Sequence, residues 1–346
     1  MVLCISTAAH GRDSYYLVTL EEAESSHPAL RDCGLNIYGT MTYYVLLNHY
    51  RRTLVNSEAR FVLFPPYFTC EHNWPVYGGG SFDNNMARTG LAPLEKSACR
   101  KFALDLAATW EYLPEQLFVI HDGSGDWLSG HDFPHMWNLS RAIIAKGNTL
   151  VTHYRQGQDI SMPPPATLNV LMYRNVFSST KQHLVAFKGD LNTHKLRSEL
   201  AKLHNPAAGV VIVGRDDSKV DYDALMANSN FSLVVHGHVP FSYRFSEAVC
   251  HNTIPVIIAD AWVPPFSEIV PLRTYGLRVA ESEVANLISV LQNISDTDRE
   301  QKRVNAMRFC YSSIITPYHQ IETMLKILFR RKLGTSVASL NEVKMF

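Results

Sequence analysis

The chain has 346 residues, of which 32 are basic and 32 acidic, so its formal charge is zero. It is 46% hydrophobic, 11% aromatic and 18% charged, too apolar for a disordered chain and without the basic stripe that follows a nucleic-acid backbone. No block of like charge points to an anionic membrane surface, and no apolar run reaches the roughly 18 residues of a membrane-spanning helix.

A chain of this length is expected to divide into two domains of roughly 150 residues each. The leading apolar run, Met1 to Ile5, is too short for a secretory signal and lacks a basic flank. As written, the chain reads as soluble, either cytosolic or lacking a leading anchor. Its six cysteines are widely spaced, with no CxxC and no Cys/His pair at zinc spacing, so a structural metal is not expected. Disulfides in a secretory lumen and buried thiols both remain open. Asn-x-Ser sequons occur at Asn138, Asn230 and Asn293; the Asn230 sequon lies in an apolar, strand-like run and is read as accidental.

Short apolar runs alternate with helical patterns along the chain. Gly39 to Val55 is a helix candidate. Phe61 to Phe64 reads as a buried strand stopped by Pro65-Pro66. In Glu95 to Tyr112, Phe102, Leu106 and Trp110 repeat every four residues along one helix face. Leu117 to Ile120 and Thr149 to His153 read as strands. Asp159 to Pro165 carries three consecutive prolines, which neither a helix nor a central strand accepts. It is the expected linker, completed by Ser178 to Gln182.

The second half restarts with strand Leu184 to Phe187 and helix Thr193 to His204. Strand Val210 to Val213, a helix around Tyr222 to Asn228, and strand Phe231 to Val235 follow. Helix Ser242 to His251 and strand Ile254 to Ile258 close the run. Strand–helix–strand spacing this short requires parallel pairing with right-handed crossovers. Val/Ile runs suit strands covered on both faces. Helices are expected over Glu281 to Leu291, Thr297 to Ile314 and Tyr318 to Arg331. The division is therefore 1–178, 179–333 and a tail, 334–346.

Ligands of such sheets sit beyond the carboxyl ends of the strands, so chemistry is sought there. The richest stretch runs from Phe231 to Ile258. It is a strand, a loop containing His236, Gly237 and His238, and a helix starting near Ser242. Free N–H groups at a helix start favour an anion, and Ser242 can cap them. Arg244 can pair a phosphate. Glu247, on the same helix face, can accept hydrogen bonds from a sugar diol. A phosphate beside a diol is what a nucleotide presents; the alternative is a local Arg244–Glu247 ion pair on a solvated helix.

These residues resemble the signature of the exostosin family of glycosyltransferases. The matching positions are Phe231-Ser-Leu, Gly237, Ser242, Arg244, Glu247-Ala248, Ile254-Pro255-Val256 and Pro265-Phe266, reinforced by Trp262. Phe187-Lys188-Gly189 with Arg197 resembles the opening of the family's second domain. Asp159 to Pro165 resembles its D-(V/I)-x-x-P-P segment, and Leu117 to Asp122 its plant-type strand ending in His-Asp. The resemblance spans residues 60–300 and is densest over 184–270.

The resemblance implies an α/β fold of GT-B type, two Rossmann-like doubly wound domains facing a central cleft. It implies an inverting, metal-independent glycosyltransferase with no resident cofactor. The nucleotide-sugar cosubstrate, a UDP-sugar by family, lies on the carboxyl domain, and a glycan acceptor on the amino domain. Donor-side residues are then Lys188, Gly189, Arg197, His236, Gly237, Ser242, Arg244 and Glu247. The general base on the acceptor hydroxyl is sought after the Leu117 strand, at Asp122, His121, Asp126 or Asp132. Relatives are Golgi type II membrane proteins, so a Golgi lumen location stands beside the cytosolic reading. A homodimer or heterodimer with another glycosyltransferase is a further expectation. Aromatic pairs Tyr15-Tyr16 and Tyr43-Tyr44, and the loop with Trp74, Tyr77 and Gly78 to Gly80, are either acceptor contacts or ordinary core and surface. Asp216-Asp217 reads as a solvated loop.

Two rival classes stand beside this. A non-catalytic partner subunit would scaffold an active enzyme. A nucleotide-sugar epimerase or dehydrogenase would need a G-x-G-x-x-G turn after its first strand, and no such string occurs.

Overall fold

The computed structural model describes residues 14–19, 21, 22, 25, 37–54, 59–64, 117–122, 143–147, 149–152, 154–163, 181–237, 240 and 242–331. The chain separates into two compact units, Met1–Ala145 and Lys146–Phe346.

The first unit is built on strands β1 (Tyr15–Leu17), β2 (Arg52–Thr53), β3 (Phe61–Phe64), β4 (Leu117–Asp122) and β5 (Ile143–Lys146), in the order β2-β1-β3-β4-β5. The pairs β1–β2, β1–β3 and β3–β4 are parallel. Helix α1 (Ile37–Asn48) connects β1 to β2. It ends earlier than the expected Val55, because Arg52 and Thr53 are taken into the sheet as partners of Tyr15 and Tyr16. Tyr15 and Tyr43 are buried, and the Tyr15 hydroxyl donates to the Leu46 carbonyl at 2.6 Å, tying β1 to α1. These two rings are core. Tyr44, by contrast, is exposed.

The expected strand Thr149 to His153 is not formed. The apolar Ile143-Ile-Ala run fills the sheet position instead, and Gly147 ends it in a bend. Leu150 makes an isolated antiparallel bridge with Trp262, and Val151 is exposed. The helix expected over Glu95 to Tyr112 and the loop with Trp74, Tyr77 and Gly78 to Gly80 lie outside the described residues.

The second unit starts with a strap. Lys146 accepts from Met162 N–H at 2.8 Å, beside the short β6 (Ile160–Ser161). Val151 N–H donates to Ala261, Val263 N–H to Thr149, and Phe266 N–H to Ser161, all within 2.9 Å. Trp262 Nε1 donates to Gly147 at 3.0 Å. Asp159 takes two hydrogen bonds from the Arg155 guanidinium, at 2.9 and 2.6 Å. Arg331 donates to the carbonyls of Gln158 and Asp159 and to both Glu268 oxygens. The second unit begins at Lys146, and within this stretch Gly147, Thr149, Val151, Tyr154, Gln158, Asp159 and Ser161 bond to residues 261–268 or to Arg331.

Beyond the strap lie β7 (His183–Gly189), β8 (Val210–Gly214), β9 (Ser229–Val235), β10 (Ile254–Ile258) and β11 (Leu277–Arg278). Their order is β11-β10-β9-β7-β8, and every pair is parallel. Alternation along β9 explains the two layers. Phe231, Leu233 and Val235 face the main core with Val185, Phe187, Ile212, Val256 and Ile258. Ala186, Val211 and Leu225 pack together in a smaller cluster.

The crossovers are α2 (Lys195–Ala201), α3 (Tyr222–Ala227) and α4 (Arg244–Cys250). Asp221 caps α3 through Ala224 N–H, and His194 caps α2 through Leu196 N–H. A 3₁₀ stretch, Glu281–Asn286, leads into α5 (Leu287–Gln292), followed by α6 (Asp296–Phe309), a π turn (Cys310–Ile314) and α7 (Pro317–Arg330). Ser295 and Thr316 cap α6 and α7, each accepting from the N–H three residues on. A disulfide joins Cys250, at the end of α4, to Cys310 in the π turn. Each unit by itself is a parallel α/β sheet, the fold class expected of each half of a GT-B chain. No helix among the described residues is long and apolar enough to cross a membrane.

Candidate functional site

The strand order of the second unit reverses direction between β7 and β9. That is the topological switch point, where a crevice opens outside the carboxyl ends of the strands. β7 ends on Lys188-Gly189 and β9 runs into His236-Gly237, so the sheet brings together the two sequence segments that resemble the family signature.

Arg244, in the first turn of α4, enters this crevice. Its Nη2 donates to the Lys188 carbonyl. Its Cζ lies 4.5 Å from the centre of the Phe187 ring and 5.4 Å from that of Tyr222. Its Nε and Nη1 are buried and have no hydrogen-bond acceptor among the described residues. A buried, half-satisfied guanidinium is costly, and an anion arriving there would supply the missing acceptors. Glu247 lies one turn further along α4, and its Oε2 accepts from the Tyr222 hydroxyl. Arg244 and Glu247 thus each have a partner of their own, Lys188 and Tyr222, instead of forming a local ion pair on a solvated helix.

Arg197, from α2, is engaged at each of its three guanidinium nitrogens. It donates from Nε to His236 at 2.9 Å, from Nη1 to Asp190 at 3.0 Å and from Nη2 to Val235 at 3.1 Å, all backbone carbonyls. It therefore laces the end of β7 to the end of β9. Burial first, then the positive charge of Arg244, lowers its pKa to about 10 against the pull of Asp190. Lys188 turns to the neighbouring loop between β8 and α3 and fastens it: its Nζ donates to the carbonyls of Asp217 at 2.8 Å and Val220 at 2.6 Å. Every side-chain nitrogen of these two cations has an acceptor, whereas Arg244 has two buried nitrogens without one among the described residues.

The two glycines are set by these arginines. A Cβ on Gly189 would lie 3.1 Å from Phe187 and 3.2 Å from Arg244 Nη2, and one on Gly237 would lie 2.7 Å from Arg197 Nη2. Ser242 Oγ accepts from Arg244 N–H at 3.3 Å, so it supports the first turn, although Tyr243 is the cap residue.

His236 stacks on His194, ring centres 4.2 Å apart, and its Nδ1 lies 3.5 Å from Glu281. Burial holds the His236 pKa below the ordinary range, assisted by His194 and Arg197 and opposed by Glu281. Glu281 and Asp260 exchange hydrogen bonds with each other's backbone N–H. His194 and Tyr222 were not singled out from sequence. His194 lies just before a helix like any capping residue, and Tyr222 sits among unremarkable α3 residues; only the fold brings them to the signature. Asp216 is exposed, as expected of a solvated loop, and Asp217 caps Lys219 N–H.

In the first unit, His121 and Asp122 are the last two residues of β4. Asp126, Asp132 and His238 lie outside the described residues.

A model of the exostosin GT47 domain matches residues 117–294, slightly more than half of the 346 positions. The chain belongs to the exostosin family. It is 27% identical over 201 residues to exostosin-1 of Drosophila melanogaster, covering 49% of this chain and 26% of that protein. It is 26% identical over 227 residues to the exostosin-1 homolog of Caenorhabditis elegans, covering 56% and 59%. The chain thus spans between about a quarter and three fifths of these relatives. Among solved structures, a glycosyltransferase from Rickettsia africae ESF-5 aligns with TM-score 0.39 at 9% identity, covering 94% of this chain and 100% of that one.

Proposed function

We propose that this exostosin-family chain is an inverting glycosyltransferase that moves a sugar from a UDP-sugar to a hydroxyl of a glycan acceptor. The observation that carries the reading is Arg244, whose guanidinium has two buried nitrogens without an acceptor among the described residues, at the switch point of a parallel sheet. Sugar transfer builds negative charge on the leaving diphosphate and oxocarbenium character on the sugar. Arg244 meets the diphosphate with donors that are already desolvated and aimed, so little reorganisation remains when charge develops. Glu247, oriented by Tyr222, accepts from the ribose hydroxyls. Arg197, Lys188, Gly189, Gly237 and Ser242 hold the walls of the site, and His236 borders it. In this reading no metal bridges the diphosphate.

An inverting transfer also needs a base on the acceptor hydroxyl. Asp122 at the end of β4 is our first candidate, with His121 and Asp126 beside it. The Cys250–Cys310 disulfide supports an oxidising compartment, in keeping with the Golgi lumen. Pairing with a second copy or with another exostosin-family chain belongs to the same proposal.

The test is calorimetric titration with UDP and GDP, followed by a donor-hydrolysis panel over nucleotide sugars, which requires no acceptor. Wild-type protein should bind UDP, and Arg244→Ala should weaken binding by about a hundredfold, as expected when a charged hydrogen-bonding partner is removed. No binding of either nucleotide would favour the scaffolding-subunit reading. An Arg244→Ala variant with wild-type affinity would overturn the site.

A further inference from the structure

We propose that Tyr222 is a positioning residue for this donor site, setting Glu247 with its hydroxyl and the Arg244 guanidinium with its ring. The inference rests on the reading of Arg244 and Glu247 as nucleotide-sugar contacts. Tyr222 lies on α3, before the strand that leads into the signature, and no motif includes it. Its hydroxyl donates to Glu247 Oε2, and its ring centre lies 5.4 Å from Arg244 Cζ, with Phe187 at 4.5 Å. One side chain thus touches both ligand-facing groups of α4.

The position of Tyr222 is itself secured. Asp221 caps α3 one residue before it. Asp223, one residue after it, lies 3.2 Å from His251 Nε2, while His251 Nδ1 lies 2.8 Å from the Glu247 carbonyl. Both ring nitrogens of His251 therefore face acceptors, and α3 is clasped to α4 on each side of Glu247. The Lys188 Nζ bonds to Asp217 and Val220 steady the loop that enters α3.

The geometry has a chemical consequence. The Phe187 and Tyr222 rings and the Lys188 carbonyl hold Arg244 beside the end of β7, where its Nε and Nη1 have no acceptor among the described residues. Without the phenol, Glu247 loses the hydrogen bond that fixes Oε2, and its carboxylate can turn toward Arg244. Donor affinity would then fall because the two groups had satisfied each other.

The experiment compares Tyr222→Phe, Tyr222→His and Arg244→Ala with wild type, using UDP affinity, donor KM and kcat in hydrolysis, and melting temperature. Tyr222→Phe should weaken UDP binding and raise donor KM by about tenfold, the loss of one hydrogen bond to a charged group. Donor KM should change more than saturated kcat, and the melting temperature should fall by the few degrees that one lost buried hydrogen bond costs. Tyr222→His, which restores a ring donor, should recover part of the affinity. In a double-mutant cycle with Glu247→Gln, the losses should be strongly non-additive. If Tyr222→Phe does not fold, the Tyr222→His and Glu247→Gln cycle decides. Wild-type affinity in Tyr222→Phe, or additive losses, would overturn the proposal while Arg244→Ala still lost binding. Wild-type binding by Arg244→Ala would instead overturn the site and this inference with it.

Discussion

Arg197 and Gly237 are packed so closely that a Cβ at residue 237 would stand 2.7 Å from Arg197 Nη2. The guanidinium cannot step aside freely, because its three donating nitrogens hold the carbonyls of Asp190, Val235 and His236. Gly237→Ala should therefore break at least one of these bonds and cost about 1–3 kcal/mol, the usual penalty of overpacking. A denaturant midpoint shift checks the value. An unchanged midpoint would mean that Arg197 does not lace β7 to β9.

The Cys250–Cys310 disulfide joins residues 60 apart, bridging the helix that carries Arg244 and Glu247 to the turn after α6. The chain-entropy model assigns a closed loop of this length about 4 kcal/mol. Cys250→Ala/Cys310→Ala should melt several degrees below wild type. A strong reductant should lower the wild-type melting temperature and leave the double variant where it is. Equal melting of the two proteins without reductant would show that the bond is absent from the folded chain.

Stability should fall on mild acidification, and His236 should contribute to the fall. Its folded pKa lies below the unfolded value of 6.5, chiefly through burial, with His194 and Arg197 adding to the effect. The unfolded chain then binds more protons as pH drops below 6.5, so acid favours unfolding there. Melting temperatures from pH 7.5 to 5 should decline less steeply in His236→Gln than in wild type. Identical slopes would remove His236 from the account.

Of the sequons within the described residues, Asn293 alone is suited to carry a glycan. It is exposed at the junction of α5 and α6. Asn230 lies within the central strand β9, and its Nδ2 donates to the His183 carbonyl. When the chain is secreted from a eukaryotic cell, Asn293→Gln should remove a glycosidase-sensitive mobility shift, and Asn230→Gln should not. A shift that survives Asn293→Gln and vanishes with Asn230→Gln would contradict this placement.

The strands of the second unit were legible because a doubly covered parallel strand must be a short Val/Ile run. Phe231 to Val235 and Ile254 to Ile258 are such runs, and both are strands. Thr149 to His153 shows the limit of that rule. Its apolar residues match the pattern, yet Ile143-Ile-Ala takes the sheet while Leu150 bridges to Trp262. Local composition cannot choose between two neighbouring runs when a distant side chain decides. The strap before the prolines lies in the second unit, where Arg331 and Glu268, far along the chain, bind it; no local pattern in the strap announces those partners.

At the site, the residue types alone placed Arg244 and Glu247 on one helix and Lys188, Gly189 and Arg197 after an earlier strand. Hydrophobic period, strand–helix spacing and the family signature all act locally, and they sufficed for that. What distinguishes the three cations is not local. Arg197 and Lys188 spend their donors on backbone carbonyls, and Arg244 keeps two buried and unpaired, because strands β7 and β9 meet at the switch point and α3 folds over α4. Hydrogen-bond partners are assigned by tertiary packing, so the pairing of Tyr222 with Glu247 and of Cys250 with Cys310 was decided only there.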